Sequence, residues 1–464
     1  MERVPLQIPR APIPSSTPDL PPPTPNLFLE DPTPNIPNPS PPQNRRRRGR
    51  PRSSPQPLRT PQPPIDPPDD TSLLSSTIIH RVSSHIPTTS RPAFSSAVAD
   101  QINTLLTTLT NQNAPVHLTA RRDLLRLAEK FFPPTPSGRR PLQRRHTPCS
   151  PHTRDLPPEA TRSRRIHSLL RRGNISRAAR CLKESSLAPL DETTVAALQA
   201  LHPRKPLPRF ESHLTPTSIP RRTFEDIIRR LPAGSAPGPS GWTFEHVRAA
   251  CFGSPRGLDA FFRLTNSLLA GRFTHWPEML ASRLLPIAKT NGGIRPIAVG
   301  EIFIRLSSTC ALKTCGNYLT SLAPVQLGVG TPGGAQCMGL AINAFLEAAP
   351  DSLLIQTDLR NAFNSIDRLH LLSTIEREVP HLSAYVGWCY RRRTALLLPS
   401  GPSHISSSTG IRQGDPLGPF LFSLGIQPLL LSTIEKFPET HIMAYLDDVT
   451  LVGPPYKQQQ PFAT

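Results

Sequence analysis

Three aspartates in the last quarter of the chain stand where their side chains can meet. Asp358 closes the short apolar run Leu353-Leu354-Ile355-Gln356-Thr357, and Asp447 and Asp448 join two others, Ile442-Met443-Ala444-Tyr445-Leu446 and Val449-Thr450-Leu451-Val452. Runs of this length and β character read as strands, which puts Asp358 at a strand's C-terminal edge and the Asp pair at a hairpin tip. Adjacent carboxylates repel unless a cation lies beside them, and three brought together make an oxygen-rich site for Mg²⁺ or Mn²⁺. Two such ions would activate an attacking 3′-hydroxyl, bridge a triphosphate and stabilise the departing pyrophosphate, the chemistry of nucleotidyl transfer. An Asp-Asp pair is also ordinary turn chemistry, so its meaning depends on what surrounds it.

The elements that must position these groups are legible around them. After Asp358 comes Asn361-Ala362-Phe363-Asn364-Ser365-Ile366-Asp367, then Leu369, Leu371, Leu372, Ile375 and Val379 at helical spacing until Pro380, with Asp367 as N-cap. Upstream, Leu105, Leu109, Leu118, Leu124, Leu125 and Leu127 predict helix between 95 and 130, stopped by Pro133-Pro134. Residues 162 to 182 read as helix, a turn at Gly173-Asn174, and a second helix capped by Ser176. The composition turns globular after Pro206.

These residues carry a family resemblance. TDLRNAFNSIDR, GIRQGDPLGPFLFSLGIQPLL and AYLDDVTLVG resemble successive palm motifs of a reverse transcriptase. LPAGSAPGPSGWTFEHVR and LLPIAKTNGGIRPIAVGEIFIRLSS resemble its finger motifs as they occur in non-LTR, LINE-like retrotransposons. The likeness spans about residues 225 to 453, and more loosely RRGNISRAARCL through ALQALHPRKP before it. It implies an α/β (α+β) right-hand fingers and palm, and RNA-directed DNA polymerisation with template RNA, a DNA primer or target, and deoxynucleoside triphosphates. By the same resemblance Asp358 and Asp447 are the metal ligands, with the Leu359 backbone facing a metal and Asp448 beside them as a third catalytic carboxylate. Phe363 takes the steric-gate position, where an aromatic ring excludes a ribose 2′-hydroxyl. Lys289 and Arg295 meet the triphosphate, and Gln413 and Gly414, with Asp415 and Pro416, form the loop beneath the nucleotide. Gly238 and Gly241 read as structural.

Two departures accompany the resemblance. Asn364 replaces an acid often found after the Ala-Phe of the first palm motif. Only 16 residues follow Asp448, so a chain truncated after the YLDD motif is expected. An RNA-dependent RNA polymerase shares the palm carboxylates, but Phe363 argues against it. A non-catalytic nucleic-acid-binding relic is the alternative of another class.

Composition divides the rest of the chain. Of 464 residues 60 are Pro, and 23 of those 60 fall in residues 1 to 70. Such a segment buries too little apolar surface to offset its ordering entropy, so residues 1–94 are expected to form a disordered tail. Within it, Arg45, Arg46, Arg47, Arg48, Arg50 and Arg52 surround an Arg-Gly-Arg-Pro centre that resembles an AT-hook, the plainer reading being a nuclear-import signal or a generic basic patch. The net charge of +20 points to a polyanionic partner, most simply nucleic acid. Residues 121 to 180 hold 16 Arg+Lys against 4 Asp+Glu, with Arg171 and Arg172 among the expected nucleic-acid contacts. The expected order is the tail, a basic helical segment over 95–204, fingers and palm over 205–455, and an unstructured end over 456–464. The seven cysteines lack paired spacing; Cys149 with His152 and Cys181 is too sparse for a zinc site. No run is long enough to span a membrane and no signal peptide opens the chain, so the expected location is the nucleus, or a cytoplasmic ribonucleoprotein before import.

Overall fold

The computed structural model describes residues 82–84, 86–134, 187–207, 215–289, 292–399 and 404–455, with 163, 166, 167, 170 and 171. The arginine octet at 45–52, Arg172, Cys149, His152, Cys181, the Gly173-Asn174 turn and the end after 455 lie outside the described residues; Arg171 is exposed.

Helices α1 (Arg91–Thr107) and α2 (Pro115–Phe131) realise the spacing read over 95–130. Each has a proline in its first turn, where the missing N–H costs nothing. They are followed by α3 (Glu192–Ala200), α4 (Arg221–Arg230), α5 (Phe244–Gly253) and α6 (Pro255–Leu269). Phe94, Val98, Ile102, Leu124 and Ala128 of the first pair are sealed into the same apolar core as Phe224, Trp242, Val247, Phe261 and Leu264. The N-terminal helices therefore share their core with chain beyond residue 205. Polar ties fix the arrangement: the Trp242 indole donates to the Leu125 carbonyl at 3.1 Å, and the His246 Nε2–H donates to the Ser83 carbonyl at 2.9 Å. That tautomer follows because His246 Nδ1 accepts the Thr243 amide, closing the N-terminus of α5.

Next come α7 (Pro277–Leu280), the hairpin β1 (Ser282–Ala288) and β2 (Ile294–Gly300), α8 (Ile302–Lys313), α9 (Gly316–Thr320) and α10 (Gly334–Ala348). In the hairpin Pro286 faces Pro296, so two residues without an N–H share one rung and the ladder stays intact elsewhere. Then follow β3 (Leu353–Asp358), α11 (Ala362–Ser365), α12 (Arg368–Glu378), α13 (Ser383–Tyr390), β4 (Thr394–Leu397), β5 (His404–Ser407), α14 (Gly418–Lys436), β6 (His441–Tyr445) and β7 (Asp448–Gly453). Asp367 caps α12 as expected, accepting the His370 amide at 3.0 Å.

Two sheets result, in a mixed helix-and-sheet fold. One runs β2-β1-β4-β5, with a parallel junction between β1 and β4; the other is antiparallel in the order β3-β7-β6. The second is sandwiched between helices. Leu430, with Ile426 and Ile434, from α14 packs against Ile355, Ile442, Ala444, Val449 and Leu451 on one face. Met338, Ile342 and Phe345 from α10 meet Met443 and Val452 on the other. No helix among the described residues is long and apolar enough to cross a membrane.

Candidate active site

The pairing of β3 with β7 brings the aspartates together. Asp358, the last residue of β3, lies directly opposite Asp448, the first residue of β7, and Tyr445 faces Asp448 from β6. The hairpin tip is one residue earlier than the sequence suggested: Leu446 and Asp447 make the turn, and Asp448 is already in the ladder. Leu446 adopts a left-handed φ of 60°, and the Gln326 side chain holds that turn by accepting the Leu446 amide at 2.7 Å and donating to its carbonyl at 3.3 Å. The Leu359 amide donates to the Asp447 carbonyl at 3.4 Å, tying the chain after Asp358 to the turn. The Leu359 carbonyl, expected to face a metal, accepts the Ala362 amide at 3.3 Å, which leaves one lone pair.

Asp358 and Asp448 are exposed and Asp447 is half-buried. Burial, then the Asp448 and Asp358 charges, push the Asp447 carboxyl above its usual range, and Arg295 on β2 pulls it down. Asp358, Tyr445 and Asp448 line an open cleft of about 470 Å³ with Ala335, Met338, Gln356 and Thr357. Among the described residues no three His, Cys, Asp or Glu side chains converge closely enough to enclose a metal by themselves. The donor chemistry nevertheless suits a hard divalent cation. Mg²⁺ takes one or two carboxylates and fills its remaining positions with water and substrate phosphates.

The other expected site residues form a second group. The Ile411 amide donates to the Phe363 carbonyl at 2.6 Å, and the Ala298 amide of β2 donates to the Gln413 carbonyl at 2.7 Å. The loop at 411–415 is thus stitched to the helix start on one side and to β2 on the other. Gly414 has φ 123°, and a Cβ there would sit 2.6 Å from the Ala298 oxygen, so only glycine lets the loop pass. The Phe363 ring lies on Phe422, with centroids 4.5 Å apart and planes within 14°. Lys289 is exposed at the head of the β1–β2 hairpin, its amide donating to Gly293 at 2.8 Å, and it meets no carboxylate among the described residues.

Behind this loop lies a buried charge network that sequence reasoning missed. Arg412 stacks over the Tyr390 ring and lies 3.7 Å from Asp415, whose carboxylate also accepts the Tyr390 hydroxyl at 2.8 Å and the Leu417 amide at 3.1 Å. Arg368 is sealed in with no carboxylate partner among the described residues. It donates to the carbonyls of Gly410, Tyr390, Arg392 and Ser407 and to the Ser407 hydroxyl. Burial lowers its pKa to about 9, which still leaves it charged at neutral pH. On the far side of β2, Glu301 is 1% exposed and accepts both the amide and the hydroxyl of Ser240, at 2.6 and 2.5 Å. Burial raises its carboxyl to about 7. Gly238 explains the contact, since a Cβ there would come within 2.7 Å of the Gly300 carbonyl. A charged residue within an apolar pattern was the available signal; spacing alone does not say that it is buried.

Residues 287–460 match the family described as "Reverse transcriptase (RNA-dependent DNA polymerase)". The chain is 29% identical over 254 residues to the retrotransposable element SLACS 132 kDa protein of Trypanosoma brucei gambiense, covering 49% of this chain and 20% of that one. It is 24% identical to the Pol polyprotein of the type-2 retrotransposable element R2DM of Drosophila melanogaster, covering 65% of this chain and 31% of the relative. A reverse transcriptase-like protein of Chlamydomonas reinhardtii is 24% identical over 34% of this chain and 42% of its own. The matches thus span between a fifth and about two fifths of these relatives. A solved apo telomerase from Candida tropicalis aligns over 41% of this chain and 48% of its own, at 11% identity and a TM-score of 0.32.

Proposed function

From the premise that residues 287–460 are a reverse-transcriptase domain of the non-LTR retroelement kind, we propose that the chain extends a primer 3′-hydroxyl with deoxynucleotides on an RNA template. The observation that carries this reading is the β3–β7 register, which sets Asp358 against Asp448 with Asp447 on the adjoining turn and Arg295 in their field. Asp358 and Asp447 would hold the divalent ions, with Asp448 beside them. Bound there, such ions supply Lewis-acid activation of the hydroxyl and charge neutralisation at the triphosphate.

The remaining steps belong to the chain's own side chains. Arg295 draws the triphosphate toward the carboxylates and forks its oxygens, with Lys289 adding a mobile charge from the hairpin head. Gln413 and Gly414 form a close-fitting floor because the loop is bonded to β2. Phe363, held flat on Phe422, is a stiff plate against which a 2′-hydroxyl would collide. For a retroelement enzyme the proposed workplace is the nucleus, with the arginine octet as import signal; a fluorescent fusion lacking residues 45–52 tests that separately.

The decisive experiment is extension of a DNA primer on an RNA template, with Mg²⁺ or Mn²⁺ and either dNTPs or rNTPs. Extension with dNTPs that vanishes in Asp358→Asn and Asp447→Asn supports the proposal. Preference for rNTPs overturns it in favour of an RNA polymerase. Retained nucleic-acid binding with no extension under either metal overturns it in favour of a binding relic.

A further inference from the structure

Four separate segments converge beside the carboxylate site, and all their charges have one sign. Asn361, three residues past Asp358, donates its side-chain amide to the Leu201 carbonyl at 2.9 Å. Four residues further along that segment, the Lys205 amide donates to the Ser408 hydroxyl at 2.9 Å. Residues 201–205 are therefore pinned at both ends. Ser407 pairs with Thr394 across β4 and β5, so Ser408 lies one step from the run Arg391-Arg392-Arg393. Arg368 ties the same corner together by bonding the carbonyls of both Ser407 and Arg392 at 3.2 Å.

Arg204, Lys205, Arg360 and Arg392 are exposed, and Arg391 is partly so. The segments 201–207, 359–366, 391–399 and 404–414 contain no Asp or Glu. Among the described residues, none of these five cations takes part in an ion pair. Concentrated single-sign charge raises the local concentration of a polyanion and is costly for the folded chain without one. No large exposed apolar side chain lies in the four segments, so the strip lacks the anchors with which a basic surface enters a membrane.

We infer that this strip is a phosphodiester track, along which the backbone of a single nucleic-acid strand runs from the Asp358 loop past Arg204 and Lys205 to Arg391 and Arg392. The inference rests on the polymerase reading only in that Asp358 marks the start of the track. The contact is with phosphates, so RNA and DNA strands both satisfy it.

The test is fluorescence anisotropy of the full chain with labelled oligouridylate and oligodeoxyuridylate over a range of salt. Neutralising three phosphate contacts in Arg204→Ser/Lys205→Ser/Arg392→Ser should flatten the slope of log K against log salt by about 2 units, at about 0.7 per contact on single strands. A control with the same charge change on exposed residues outside both the strip and the 121–180 stretch, Arg222→Ser/Arg230→Ser/Lys313→Ser, should keep the wild-type slope. The charge-preserving Arg204→Lys/Arg392→Lys should keep it too, which guards against misfolding as the cause. Equal flattening in the control, or none in the triple variant, overturns the track and leaves a diffuse field. A loss confined to RNA overturns the assignment to phosphates. Primer extension by the wild type is scored independently. Extension with an unchanged slope in the triple variant sinks the track alone, whereas a flattened slope without extension sinks the polymerase reading alone.

Discussion

On β3, Leu353, Leu354, Gln356 and Asp358 are exposed, and Asp447 across the sheet is half-buried. Around the loop that adjoins them, Arg412 and Asp415, with Arg368 of α12 and Tyr390 of α13, are all buried and joined by hydrogen bonds, an ion pair and ring stacking. The first region keeps its carboxylates hydrated, where incoming groups can reach them, and accepts mutual repulsion in return. The second has taken its charges out of water, so each depends on its partner. Reactivity and rigidity occupy neighbouring strands and loops but are carried by different residues.

The sharpest way to break this contrast is at the turn. Asp447→Asn should cut primer extension by about 10³-fold or more, since several kcal/mol of charge stabilisation at the reacting phosphate depends on that carboxylate. The melting temperature should stay level or rise, because the substitution relieves repulsion. A large fall in melting temperature would show that the exposed aspartates are structural.

Asp415→Ala probes the opposite pole. It strands the Arg412 guanidinium, the Tyr390 hydroxyl and the Leu417 amide, and should cost about 3 to 5 kcal/mol in chemical denaturation. A cost below about 1 kcal/mol, the level of an exposed pair, would mean that the network is ornamental. Between the poles stands Phe363, whose backbone belongs to the loop network and whose ring belongs to the site. Phe363→Ala should lower discrimination against ribonucleotides by roughly 10² to 10³ in relative kcat/KM. Unchanged discrimination would make the ring a packing element of Phe422.

The smallest effect is a pH dependence. The Glu301 carboxyl titrates near 7 in the folded chain against 4.5 for the free group, so between those values the native state holds a proton that the unfolded chain has released. Its contribution to stability is fully present below pH 4.5, declines as pH rises, and is gone above about 7. Glu301→Gln should remove that decline, on the order of 3 kcal/mol across the window. Identical pH profiles of unfolding free energy for variant and wild type would show that Glu301 stays ionised against Ser240.

The contrast also explains what could be read from the chain alone. Asp358 at a strand end, Asp367 as a cap and the 442–452 hairpin follow from local periodicity and turn chemistry, which neighbouring residues supply. The opposition of Asp358 to Asp448, with Asp447 left to the turn, is a matter of register across a separation of 90 positions, and no local pattern encodes it. Arg368 and Glu301 were invisible for a related reason. A charged residue at a helix start reads as surface until three or four distant carbonyls or hydroxyls are seen to surround it. The sharing of one core by α1, α2 and the helices beyond residue 205 was hidden by the basic stretch between them, since charge marks a change in surface and says little about which faces meet.

The strand order β3-β7-β6 has a consequence for synthesis. Among the described strands β7 is the last made, yet it is the central one, with β3 and β6 on its two sides, and β6 also bridges to Gln326. A nascent chain that has not yet emerged through Gly453 has Asp358 on a strand with no neighbour. The three aspartates therefore meet only once β7 has paired with β3, and a chain whose synthesis stalls between Asp358 and Asp447 carries the first carboxylate without the two that answer it.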